Sequence, residues 1–224
     1  MHVTEADDRD RPGDSDIDMF DLEFVASDLS LAGLLRLDIR RGAGATRFLA
    51  SVLRAGEDPV TVLDYDLPLA TGAFEFRASG VWVELCCEEP LDHWTVGLEA
   101  FGLAVPAGEV VTPASYGDRV PLGLDLDLDT VAAPEGDARS FSVDVKVHGE
   151  ILIADAAYEI EATGVRRRVS TGVRPRDVAG VRHPLHLGEL AVAWPIEDGM
   201  PNIERRGWFG GSRPGWSLVD YSAE

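Results

Sequence analysis

The sequence predicts an all-β chain folded as an antiparallel barrel, and three observations predict it. Apolar residues recur with a period of two over most of the chain. Turn-forming clusters punctuate those runs: RAGEDP, ATG, ASG, YGD, APEGD, HGE and EATG. No long amphipathic helical pattern interrupts them. Alternation is what a half-buried antiparallel strand requires, because successive side chains leave opposite faces of the pleat. Many short strands at regular spacing read as a barrel or sandwich.

Taken in order, residues 1–18 are charged, contain Pro and Gly, and carry few apolar side chains. They are expected to form a disordered acidic tail. Residues 19–224 are expected to form the barrel domain, with an internal division near 130–140. Leu35, Leu37 and Ile39 alternate with Arg36, Asp38 and Arg40. Val62 and Leu63 lie in the short apolar run VTVLDY, Phe74 and Phe76 alternate with Glu75 and Arg77, and VWVEL follows at 81–85. The segment LDHWTVGLEAFGLAV (91–105) suits a helix by composition, but Gly97 and Gly102 disfavour one. It is read as a strand with Trp94, Val96, Leu98 and Ala100 on one face. In LGLDLDLD, Leu122, Leu124, Leu126 and Leu128 share one face, and Asp125, Asp127 and Asp129 share the other. Phe141, Val143, Val145 and Val147 alternate with Ser142, Asp144, Lys146 and His148. Beyond residue 165 the chain is rich in Arg, Pro and Gly, which predicts short strands and long loops.

Composition narrows the partners. The 224 residues include 40 acidic and 20 basic side chains, a formal net charge of −20. Such a surface repels phosphate backbones and anionic headgroups, so neither nucleic acid nor membrane is expected as a partner. No apolar run approaches the ~20 residues of a membrane span. The opening MHVTEADDRDRPGDSDID has the character of neither a secretory signal nor a transit peptide, so a cytoplasmic location is expected. Cys86 and Cys87 are adjacent. On a strand they face opposite ways, so they supply neither a disulfide framework nor a zinc site.

The familiar catalytic motifs are missing: there is no HExxH, P-loop, GxSxG or complete GxGxxG. His183 and His186 flank Pro184 and lack a third ligand. Asp125, Asp127 and Asp129 lack the turn of a calcium loop and read as a solvated strand face. No metal or cofactor is therefore expected. The aromatic supply is large: Trp82, Trp94, Trp194, Trp208, Trp216, Tyr65, Tyr116 and Tyr158. Such side chains fill a core or line a cavity inside a barrel. In EEPLDHWTVGLEAF (88–101), Glu88, Glu89, Asp92, His93 and Glu99 surround Trp94. A carboxyl held in an apolar barrel has a raised pKa and can act as an acid. Glu99 is the candidate acid, with Tyr65 and His93 as the other candidate catalytic donors. Trp82, Trp94, Phe101 and Tyr158 are the candidate substrate-binding residues. Trp94 and Glu99 have opposite parity, so both reach one lumen only if a bulge, as at Gly97, intervenes.

PLDHWTVGLEAFGLAV, then GDRVPLGLDLDLD, then KVHGEILIADAAYEIEATGVRRR resemble in order the body of the AttH-like and carotenoid 1,2-hydratase proteins. The ending RPGWSLVDYS is similar to their Gly-Trp-rich terminal strand. The resemblance spans roughly residues 30–175 and implies a lipocalin-like β-barrel with a second, reduced barrel. That group commonly carries R-D-H-S-W-G-x-R-D-W after the HGE hairpin. Here Arg167, Ser170, Gly172 and Arg174 match it, while the His and both Trp are replaced. The resemblance implies a cyclase or isomerase that folds a polyketide- or isoprenoid-like substrate in the barrel. Such a catalyst needs shape and one hydrogen-bond donor more than a nucleophile. The alternatives are a non-catalytic carrier of an apolar small molecule, and a hydratase or dehydratase with a carboxylate acid. A homodimer is compatible with each.

Overall fold

The structure, a computed structural model, describes residues 2–28, 30–54, 57–70, 72–104 and 115–171, with the backbone of short strands at 190–193, 196–197, 200–201 and 204–207. It is all-β. One antiparallel sheet of eleven strands holds β1 (Ile17–Ala26), β2 (Leu31–Arg40), β3 (Ala45–Arg54), β4 (Val60–Leu67), β5 (Phe74–Ala78), β6 (Val81–Glu89), β7 (His93–Ala104), β8 (Asp118–Thr130), β9 (Glu135–Asp137), β10 (Ser140–Ile153) and β11 (Ala156–Thr171).

The neighbours run β4-β3-β2-β1-β11-β10-β8-β7, and β4 returns to β7 through Val60↔Ala104 and Thr61↔Leu103. Eight strands thus form a ring whose last seam is, among the described residues, those two pairs. The β5–β6 hairpin continues the sheet beyond β7 and adds Phe74, Phe76, Val83 and Leu85 to the same core. β8 and β10 flank residues 130–140 and pair directly, and β9 within that stretch pairs with β10. The extra barrel expected beyond it falls largely on residues outside the described ones. The described backbone there forms two short ladders, Leu190–Ala193 with Glu204–Gly207 and Ile196–Glu197 with Met200–Pro201. Trp194, Trp208, Trp216, His183 and His186 also lie outside the described residues.

Parity explains the core. Phe20, Leu22 and Phe24 of β1, Leu35, Leu37 and Ile39 of β2, Trp94, Val96 and Leu98 of β7, and the leucines of β8 all point inward. The segment 93–104 is a strand, as its glycines predict. Gly97 makes no bulge: it pairs in regular register with Glu84 and Asp125. Its missing side chain makes room for the Trp82 ring, which a Cβ there would approach to 2.9 Å.

β1, β2 and most of β3 are buried on both faces. Their outer face carries charge. Asp21 and Arg36, directly opposite each other, form a two-point ion pair at 2.9 Å, with both side chains 1% exposed. Arg167 reaches Asp21 at 3.4 Å and Glu23 at 3.1 Å. Burial works against the Arg36 charge, but attraction by Asp21, Glu23 and Asp38 outweighs it and keeps the guanidinium protonated. Asp38 behaves oppositely. Burial lifts its carboxyl above the ordinary carboxylate range, more than Arg40, Arg36 and Arg47 lower it.

Two outcomes follow from this packing. Leu126→Ala should lose about 2–5 kcal/mol in urea denaturation, and Asp125→Asn on the opposite, exposed face less than about 0.5 kcal/mol. Equal losses would show that the register of β8 is wrong. A raised native pKa means that the folded state holds the Asp38 proton more tightly than the unfolded chain. Stability from this group is therefore present in acid and lost as pH rises from the ordinary carboxylate value through the raised one. Asp38→Asn should raise the melting temperature at pH 7, with the gain shrinking as pH falls below that window. A lower melting temperature at pH 7 would contradict it.

Candidate functional site

The register of β11 decides the chemistry of one mouth of the ring. In the run Arg166-Arg167-Arg168, the middle side chain turns outward to Asp21 and Glu23. Arg166 and Arg168 turn inward, opposite Leu22 and Phe20 of β1. Two guanidinium groups thus enter an apolar core, where an unpaired charge is very costly. Asp18, one strand away, takes Arg168 in a two-point pair at 2.7 and 2.8 Å. Arg166 is met by Asp8, far away in sequence, at 2.5 and 2.8 Å.

Residues 1–18, expected as a disordered tail, are thus placed otherwise. Residues 2–16 lie across this mouth, and β1 begins at Ile17. Asp8 is 0% exposed. Its Oδ2 also accepts from Trp94 Nε1 at 3.1 Å and from the Leu91 backbone N–H at 2.7 Å. The Asp10 carbonyl accepts from Phe74 N–H, and the Arg9 and Arg11 carbonyls accept from Arg168. The Arg166 guanidinium lies 4.7 Å from the Trp94 ring centre, and Trp94 tilts against Phe20 with centroids 5.3 Å apart. Composition alone reads this segment as solvated, because the partners that bury Asp8 lie more than eighty residues away. The available signal was parity: on a strand continuing Ile160 and Ala162, Arg166 and Arg168 share the inward face.

The opposite mouth is a pocket of about 550 Å³ where the ends of β3, β4, β7 and β8 meet the β10–β11 turn. Val60, Val120 and Ile153 lead from it into the core. Tyr158, a candidate ligand residue, stands at its rim. The Tyr158 hydroxyl accepts from Arg54 Nη1 at 2.8 Å, and the guanidinium sits 5.5 Å from the ring centre. Glu57, Asp58 and Asp155 complete the rim.

The other candidates do not assemble. Glu99 is exposed on the outer face, opposite Trp82 and Gly123, so it does not occupy the apolar lumen expected of an acid. Regular pairing through Gly97 keeps Glu99 and Trp94 on opposite faces. Trp82 is also outside, bonded to Glu75 at 3.3 Å and stacked by Arg77. Phe101 is 56% exposed and lines a surface pocket of about 420 Å³ with Tyr116 and Leu103. Tyr65 sits where the β3–β4 register slips, beside Arg47 at 5.1 Å. His93 bonds Asp129 at 2.9 Å on the outer face, near Asp127 at 3.3 Å, and His148 approaches the same two carboxylates from β10. Asp127 and Asp129 are therefore half-exposed and shared by two histidines, and only Asp125 is openly solvated. Among the described residues no group of His, Cys, Asp or Glu has the arrangement of a metal site. Of the seven candidates, Trp94 reaches the interior at the Asp8 mouth, and Tyr158 stands at the rim of the opposite one.

What the structure does assemble is a set of N–H donors converging on one carboxylate in apolar surroundings. That arrangement holds and orients the Asp8 carboxylate. Comparison with protein-family models, with curated proteins and with solved structures yields no match.

Cys87 reports on this mouth, since its thiol donates to the Asp8 carbonyl at 3.3 Å. Burial, with nearby carboxylates adding, pushes both the Cys86 and Cys87 thiols up to about 11. Alkylation by iodoacetamide should therefore be slow at pH 8 and accelerate until pH passes about 11. Fast alkylation of Cys87 at pH 8 would show that the N-terminal segment does not cover it.

Proposed function

We propose that the chain is a binding protein for a small, largely apolar molecule, which enters at the Arg54–Tyr158 mouth and directs its apolar body toward the core of the strand ring. The observation that carries this reading is the pocket of about 550 Å³, with its apolar floor and a polar pair fixed at its rim. Small-molecule sites have this composition: mostly apolar walls and a few polar groups that set orientation. The acidic residues beside Arg54 favour a neutral or cationic polar end over an anionic one. A lipocalin-like mode of binding, as the sequence resemblance implies, fits a ring of this strand number.

The cyclase or isomerase reading takes second place, because its acid, Glu99, lies on the outer face. One observation keeps it in view. Arg166 Nε is buried next to Trp94 and Phe20 with no hydrogen-bond partner among the described residues, and a guanidinium there can polarise a carbonyl.

A panel of apolar ligands assayed by thermal shift, with native mass spectrometry of protein from its own host, tests the first reading. Val120→Trp should fill the mouth and abolish the shift, while Glu99→Gln and Trp82→Ala on the outer face should leave it unchanged. Binding that survives Val120→Trp but is lost in Glu99→Gln would overturn it.

A further inference from the structure

We propose that Arg166, Trp94 and the Leu91 backbone N–H form a carboxylate-binding site for an apolar acid, and that Asp8 of the chain's own N-terminal segment occupies it as a displaceable stand-in. The site is at the other end of the ring from the Arg54–Tyr158 mouth and does not rest on the reading of that mouth.

The donors belong to the sheet and not to the segment that fills them. Arg166 is on β11, Trp94 on β7, and Leu91 in the turn between β6 and β7. Together they direct four N–H groups at the two oxygens of one carboxylate. The flat fork of Arg166 matches a carboxylate at two points. Leu91 holds a φ of 62°, a left-handed conformation unusual for a residue other than glycine, and its N–H is the one that reaches Asp8. Such conformations recur where a backbone group is held for a ligand. Arg166 Nε remains buried beside the donors already in use, with no hydrogen-bond partner among the described residues.

The occupant is held differently. Residues 2–16 form no strand and no helix. Their backbone is held through carbonyls: those of Arg9 and Arg11 accept from Arg168, that of Asp10 from the Phe74 N–H and that of Asp16 from the Arg41 N–H. Around the carboxylate stand Phe20 and Trp94, surfaces for an aliphatic or aromatic tail and poor company for a hydrated dianion. The ligand class is therefore a monocarboxylate with an apolar body.

If Asp8 occupies the site, an added carboxylate sees only the fraction of molecules in which it is vacated, and its apparent affinity falls by that fraction. The test follows the melting temperature of the full chain against butanoate, with butanol, inorganic phosphate and chloride at matched ionic strength. Asp8→Ala should melt below wild type and recover saturably with butanoate. Its apparent affinity should exceed that of wild type by about tenfold or more, with no response to butanol or chloride. Asp8→Asn, of the same shape, serves if Asp8→Ala fails to fold. Replacing Arg166 by Met in either background should abolish the recovery. The proposal is overturned if butanoate does not stabilise the Asp8 variants, if wild type and variants respond alike, if the response survives Arg166→Met, or if phosphate stabilises as well as butanoate does.

Discussion

Strand alternation forces two guanidinium groups, Arg166 and Arg168, into the interior of the ring, and the structure at that mouth is organised around neutralising them. The outward neighbour Arg167 meets Asp21 and Glu23 on the adjacent strand. The inward pair cannot reach those groups. Removing the partner of a buried charge costs about 3–5 kcal/mol, a large share of a domain's stability. Asp18 answers Arg168 from the neighbouring strand. Asp8 answers Arg166, which draws the preceding segment across the mouth. An acidic N-terminus that composition assigns to solvent becomes part of the folded unit for this one electrostatic reason.

The same constraint gives the ring two unlike ends. At one end the apolar interior is capped by ion pairs, an indole N–H and a backbone N–H, all directed at a carboxylate. At the other, Val60, Val120 and Ile153 open to a pocket with a single arginine–tyrosine pair at its rim. The outer sheet face between them carries the exposed Glu99 and the histidine–aspartate cluster, beside an open pocket of about 540 Å³ lined by Asp127 and His148. That outer pocket is lined mostly by acidic side chains, whereas the Arg54–Tyr158 mouth leads to Val60, Val120 and Ile153.

Much of the fold was legible because burial on one face leaves a period of two. The leucines of β8 and the valines of β10 fix their register with no help from distant sequence. Ring closure was less so, since the β4–β7 seam rests on two pairs between residues some forty positions apart. Arg36 and Asp38 alternate with the core residues of β2 and are nonetheless buried, because alternation reports which residues share a face and not whether that face meets water. The site was the least legible. Trp94 and Glu99 differ in parity, and sequence could place both in the lumen only through a bulge at Gly97. The regular ladder through Gly97 instead accommodates the Trp82 ring. Asp8 and Arg166 were invisible as a pair because nothing local in either segment encodes the other.

A double-mutant cycle on Asp8→Ala and Arg166→Met, measured by urea denaturation, tests directly whether this long-range pair organises the mouth. Arg166→Met keeps much of the side chain's bulk and removes the charge, so the double variant leaves neither group buried alone. The account predicts that Asp8→Ala is strongly destabilising alone and far less so in the Arg166→Met background, with a coupling of about 2–3 kcal/mol. Losses that add to within about 0.5 kcal/mol would contradict it, and would leave the N-terminal segment without its anchor.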